Sequence, residues 1–210
     1  MFPVPTPIYH ITHARNLPSI IENGGLLACN QLDQLGAKYE SIAYQNIQDR
    51  RASTPVPLPP GGNLHDYIPF YFAPRSPMLY SINRGNVAGI ENQRPIIHLV
   101  THAQSVQEAG FEFVFTDGHG IMVFTEFFNQ LDELNRVDWE IMEVRYWYDT
   151  IEDNDRKRRR QAEFLVYRFC PWELIVEIGV IHAKARDWVC RQLENQPHQP
   201  PVTVQRRWYY

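Results

Sequence analysis

Short apolar runs, each cut off by a turn signal, set the rhythm of this chain. Residues 8–12 alternate as a strand. A helix follows over about 17–23, opened by Asn16 or His13 and ended by Gly24-Gly25. Residues 26–45 read as helical in pieces, around Leu26-Leu27 and 39–44. The segment STPVPLPPGGN over 53–63 is an irregular surface loop. Then come a buried strand at 96–101 (IIHLVT), a short helix at 103–109 and a strand at 112–115 running into the turn TDGHG. Residues 122–136 carry apolar and acidic positions at helical spacing, and 138–144 is a further short helix. Residues 162–168 and 174–181 read as a pair of strands, 183–194 as an amphipathic helix, and 202–209 as a last strand. Strands and helices mix without regular βαβ alternation, so the pattern predicts an α+β fold in one domain spanning 1–210.

The segment DYIPFYFAPRSPMLY (residues 66–80) is the densest in signals: an aromatic strand, a proline-bracketed turn and a helix start. Pro77 suits a first helical turn, where the missing N–H costs little, and Ser76 is an N-cap. Arg75 at that junction suggests a phosphate-binding corner. On local pattern alone, a packed strand before an ordinary capped helix is the favoured reading.

Composition narrows the classes. Aromatic residues make up 13% of the 210 and the formal net charge is −4, so any polyanion must meet a local patch. The three cysteines, Cys29, Cys170 and Cys190, lack C-x-x-C spacing, which argues against a disulfide scaffold and a cysteine zinc site. His98 and His102 have no acidic partner at metal spacing, so no metal is expected. No glycine-rich nucleotide motif of the Rossmann or P-loop kind is present. The start MFPVPTPIYH has no signal-peptide character, and no run nears the ~18 apolar residues of a membrane span. The expected compartment is the cytoplasm.

Candidate chemistry sits at four places. In YHITH, strand alternation separates Tyr9, Ile11 and His13 from His10 and Thr12; such histidines can donate to a ribose or simply flank a helix. Arg51 precedes the proline-rich loop, where arginine grips phosphate or is solvated. The run Arg156, Lys157, Arg158, Arg159 and Arg160 is an electrostatic footprint for a nucleic-acid backbone, or equally a solvated linker. Glu163 opens the apolar strand FLVY. A carboxylate on a rigid, partly dry element suits stabilising an oxocarbenium-like charge, the alternative being a strand-edge charge that blunts aggregation. His119, between two glycines, has an accessible ring.

Taken in order, YHITHARNLPSIIENGGL, Arg51, DYIPFYFAPRSPMLY and RRRQAEFLVY resemble the DarT toxins, DNA ADP-ribosyltransferases of bacterial toxin–antitoxin systems. The resemblance implies an ADP-ribosyltransferase-like split β-sheet core with peripheral helices. It implies transfer of ADP-ribose from NAD⁺, as co-substrate, to thymine in single-stranded DNA, and a macrodomain antitoxin as partner. Residue by residue, it implies Glu163 and Arg51 as catalytic, and Thr12, His13, Arg51 and Tyr71 as NAD⁺ contacts. Arg75, Met78, His119 and the 156–160 run would meet DNA. The readings held against it are an ADP-ribosyltransferase acting on RNA or protein, and a non-enzymatic nucleic-acid-binding module.

Overall fold

Two continuous apolar runs, at 96–102 and 163–167, become interior strands of a sheet, because both of their faces are covered. The computed structural model describes residues 2–210. Its strands are β1 (Pro7–His13), β2 (Gly25–Leu27), β3 (Tyr67–Tyr71), β4 (Ile96–His102), β5 (Phe113–Thr116), β6 (Phe127–Phe128), β7 (Glu163–Tyr167), β8 (Phe169–Pro171), β9 (Glu177–Val180) and β10 (Val202–Val204). Its helices are α1 (Leu17–Glu22), α2 (Cys29–Gln34), α3 (Gln45–Ser53), α4 (Pro77–Asn83), α5 (Ala103–Glu108), α6 (Trp139–Glu143), α7 (Arg156–Arg159) and α8 (Ala183–Leu193).

Eight strands form one sheet in the order β10-β9-β4-β1-β3-β7-β5-β6, and β2 pairs with β8 in a second. All pairings are antiparallel except β10 with β9. The large sheet splits in the middle. β1 meets β4 along seven registered pairs, yet meets β3 at Tyr9 and Tyr71 alone. Pro69, inside β3, has no N–H to offer a ladder. Its carbonyl is instead met by the His10 ring, Nδ1 to oxygen 2.8 Å, across the opening. This is the split α+β sheet expected from the resemblance, and the split is where the site forms.

Alternation decides which side chains face that opening. Phe164 and Val166 point into the main core with Ile8, Phe70 and Leu99. Leu165 points the other way, into a cluster with Val56, Leu64, Tyr67 and Val114. Glu163 shares the face of Leu165. β7 lies between β3 and β5, so Glu163 is not on a sheet edge.

Four local expectations are corrected. Leu26-Leu27 is strand, because β2 pairs with β8; Gly25 approaches so closely that a Cβ there would sit 2.2 Å from the Cys170 oxygen. Residues 39–44 are irregular, and helix resumes only at Gln45. Over 122–136 no α-helix forms. Val123 and Phe124 point into solvent, Phe127–Phe128 pairs with β5, and Leu131–Arg136 is a 3-10 turn. The 174–181 and 202–209 strands are shorter than expected: β9 pairs with β4 and β10 and not with β7, and the chain after β10 turns inward at Arg206–Trp208 to bury Tyr209.

Candidate active site

Helix α3 stops where Thr54 must be extended ahead of Pro55, and Arg51 in its last turn faces inward. Arg51 and Glu163 are 6% and 2% exposed, and Arg51 Nη1 donates to Glu163 Oε1 at 2.7 Å. The second carboxylate oxygen accepts the Gly120 N–H at 3.2 Å. The Glu163 backbone N–H donates to Thr116 Oγ1 at 3.0 Å, and that hydroxyl donates to Gly118 O at 2.7 Å. Strand β7, helix α3 and the turn after β5 thus fix one carboxylate from three directions. Arg51 Nη2 is buried and has no hydrogen-bond partner among the described residues. A buried donor without a partner costs free energy, so this nitrogen suits an oxygen-rich ligand.

The pair forms part of the wall of a cavity of about 830 Å³ that opens at the sheet split. That volume lies in the range of ligand sites. Thr12 from β1, Tyr71 from β3 and Met78 from α4 line it, as do His119, Lys157 and Arg158. Tyr71 pairs in register with Glu163; its hydroxyl pKa is pushed up by burial and by the nearby carboxylate. His119 is driven toward its neutral form, first by burial and then by Arg51, Arg50 and Lys157, against the pull of Glu163. Five expected residues lie outside the lining: His13, Arg75, Arg156, Arg159 and Arg160. His13 Nδ1 accepts the Arg15 N–H at 3.2 Å and caps a 3-10 turn, while His10, from the opposite strand face, lines the cavity. Arg75 lies over the Tyr210 ring, 6.0 Å from its centroid. The local elements around Arg75 match expectation, with Pro77 in the first turn and Ser76 Oγ accepting the Leu79 N–H.

Most of the 156–160 run is held by the protein itself. Arg158 forks onto Asp155 at 2.8 Å and reaches Asp117 at 3.0 Å, and Arg159 binds Asp138 and Asp153. Arg156 donates to the carbonyls of Tyr146 and Tyr148. Arg160 is buried and donates to the carbonyls of Ile141 and Arg75, and burial lowers its pKa to about 10. Arg156 and Arg160 meet only carbonyls, and Lys157 alone in the run has a side chain with neither a hydrogen-bond nor an ion-pair partner among the described residues; it lines the cavity. The acids interleaved with the run in space, Asp117 and Asp138 above all, are distant in sequence, so the run looked free.

Sequence reasoning singled out neither Gly120 nor Thr116 as groups that hold Glu163. The turn TDGHG was legible as a turn, but which N–H it aims at a carboxylate depends on the β5–β7 pairing. No cluster of three or more histidine, cysteine, aspartate or glutamate side chains suited to a metal occurs among the described residues. No helix among them is long and apolar enough to cross a membrane.

The family described as "ssDNA thymidine ADP-ribosyltransferase, DarT" matches residues 9–210. The chain belongs to this family. A DNA ADP-ribosyl transferase of Thermus sp. (strain 2.9) is 50% identical over 211 residues, covering 100% of this chain and 98% of that relative. The solved structure of Thermus sp. 2.9 DarT in complex with ADP-ribosylated ssDNA superposes with a TM-score of 0.94 at 48% identity, over 100% of this chain and 99% of that one. The same DarT in complex with NAD⁺ gives 0.90 at 46% identity, over 100% of both chains. A Thermosipho africanus relative, 27% identical over 167 residues and covered over 40% of its length, is named a fusion of DNA ADP-ribosyl transferase with DNA ADP-ribosyl glycohydrolase. This DarT chain is therefore a DNA ADP-ribosyltransferase.

Proposed function

We propose that residues 1–210 act as one domain that takes ADP-ribose from NAD⁺ and joins it to the base of a thymidine in single-stranded DNA, with Glu163 and Arg51 as the catalytic pair. The observation that carries this is the buried Arg51–Glu163 contact of 2.7 Å on the wall of an 830 Å³ cavity. Nicotinamide already leaves readily, so catalysis consists of stabilising positive charge at the ribose and aligning an acceptor. Glu163, held by Arg51 and Gly120, offers a preoriented carboxylate for that charge in a water-poor setting. The new bond joins the ribose carbon to a thymine ring nitrogen. The ribose–nicotinamide bond breaks with its electron pair leaving on nicotinamide, and the ring N–H proton passes to solvent. The unpartnered Arg51 Nη2 suits the anion that develops on the base as that proton leaves.

Thr12 and Tyr71 line the part of the cavity that would hold NAD⁺, and His10 joins them ahead of His13. Met78, His119 and Lys157 form the side a flipped base and its phosphates would meet. A base must be unstacked to enter, which favours single strands over duplex. The glycohydrolase fusion in a relative supports a macrodomain antitoxin that removes the mark, which makes this enzyme the toxin of the pair.

The acceptor is tested with labelled NAD⁺ offered single-stranded DNA, RNA and protein in parallel. Label on thymine-containing DNA is expected. Label confined to RNA or protein would move the acceptor class.

A further inference from the structure

Residues 117–126 carry two groups of the site, the His119 ring and the Gly120 N–H on Glu163. One apolar side chain anchors the loop, Ile121, 7% exposed and packed with Val56, Leu64 and Leu165, while Val123 and Phe124 at its tip are 92% and 84% exposed. Polar contacts hold the rest, with Arg50 Nη2 donating to Ile121 O at 3.1 Å. At its base, Asp117 Oδ1 accepts the Glu126 N–H at 2.9 Å, and Thr125 Oγ1 donates to His119 O at 2.8 Å. One guanidinium spans both ends: Arg158 Nη1 lies 3.0 Å from Asp117 Oδ1 and 3.3 Å from Thr125 Oγ1. Its other two nitrogens fork onto Asp155 at 2.8 Å each, the residue that precedes its own helix α7, which fixes the side chain's direction. Its main-chain carbonyl accepts the His119 N–H at 3.1 Å. Gly118 lies beneath it so tightly that a Cβ there would be 2.3 Å from Nη1. With two carboxylates already bound, this guanidinium has little capacity left for a phosphate.

We infer that Arg158 is a positioning residue that anchors the 117–126 loop against Glu163, and that it is not a DNA phosphate contact. The chain of action runs from Asp155 through Arg158 to Asp117 and Thr125, then to His119 and Gly120, and so to the carboxylate. This rests on the thymidine-transfer reading above for its kinetic consequence. Its structural consequence can be read without any acceptor.

The test compares Arg158→Ala, Arg158→Lys and Lys157→Ala in the full chain, measuring kcat, KM for DNA across salt, and amide exchange of the loop. Arg158→Ala should lower kcat roughly 10²-fold, the scale of a small misplacement at a reacting centre, with the salt slope of KM unchanged. Arg158→Lys should restore little, since an ammonium cannot make the fork. Lys157→Ala should instead raise KM and reduce the salt slope by about 1. The His119 and Gly120 amides should exchange roughly tenfold faster in Arg158→Ala. If that variant unfolds, Asp117→Asn with Thr125→Val, which strips the loop side of the clamp, should give the same kinetic and exchange changes. An Arg158→Ala enzyme with kcat intact and its salt slope reduced by about 1 would make the residue a phosphate contact and overturn the inference, as would unaltered amide exchange. Wild-type protein that modifies no DNA would sink the functional reading instead, leaving the exchange result to decide the anchoring.

Discussion

Two histidines bind the fold's stability to pH. The His98 ring is buried in the sheet and the half-buried His10 ring lies on the cavity wall, each against a proline carbonyl, at 2.9 and 2.8 Å. Burial lowers each pKa from 6.5 to about 4. The unfolded chain therefore takes up protons at a higher pH than the folded one does. The stability from keeping these rings neutral is complete above about pH 6.5 and is lost as pH falls toward about 4. His98, fully buried, contributes on the order of 3 kcal/mol to that loss, and His10, half-buried on the cavity wall, contributes less. Melting temperature followed from pH 7 to pH 4 should fall steeply, with a gentler fall in His98→Gln; a flat profile would contradict it. Arg51 makes a different demand, for shape as well as charge. Its fork holds Glu163 with one nitrogen while the second remains unpaired, so Arg51→Lys should cut thymine transfer by about 10²-fold or more at unchanged melting temperature, read by initial rates. Transfer at the wild-type rate would exclude the fork from the reaction.

Elements whose signals were local could be read from the chain, and those fixed by distant partners could not. Ser76 and Pro77 mark the start of α4 because cap and first-turn chemistry need only four residues. The run at 163–167 reads as strand from its own composition, and alternation alone puts Glu163 opposite Phe164. Leu26-Leu27, by contrast, fits helix or strand, and only the β8 partner decides. The 122–136 spacing resembled a helix because exposed apolar residues mimic a stripe when burial is unknown. Arg51 and Glu163, which the structure pairs, stood out as candidates in the sequence, but the Thr116 and Gly120 contacts arise from the β5–β7 register. The C-terminal segment shows the same dependence. Gly179 in β9 leaves room for Trp208, whose ring a Cβ would meet at 2.2 Å. Gly179→Ala should cost about 1–3 kcal/mol by overpacking, seen as a lower urea midpoint at unchanged m-value. An unshifted midpoint would mean that the ring docks loosely.

At the scale of the whole molecule, a net charge of −4 and a DNA substrate are reconciled by local pairing. Within the run that suggested a cationic stripe, Arg158 and Arg159 are paired with Asp117, Asp138, Asp153 and Asp155. On the proposed reading, this pairing weakens long-range attraction to DNA and leaves recognition to the cavity and to Lys157, which lines it. The enzyme's KM for DNA should accordingly rise only shallowly with salt, with a slope equivalent to about one or two phosphates; a slope like that of a many-phosphate binder would contradict this. The split sheet, the buried ion pair and the loop that meets it support the central proposal, that Glu163 drives transfer of ADP-ribose to thymine. The direct measurement is intact mass of single-stranded oligonucleotides, with and without thymine, after incubation with NAD⁺ and either wild-type protein or Glu163→Gln. The account predicts one added ADP-ribose on thymine-containing strands with wild type alone, and a folded, inactive variant. Equal modification by Glu163→Gln, or addition to strands that lack thymine, would contradict it.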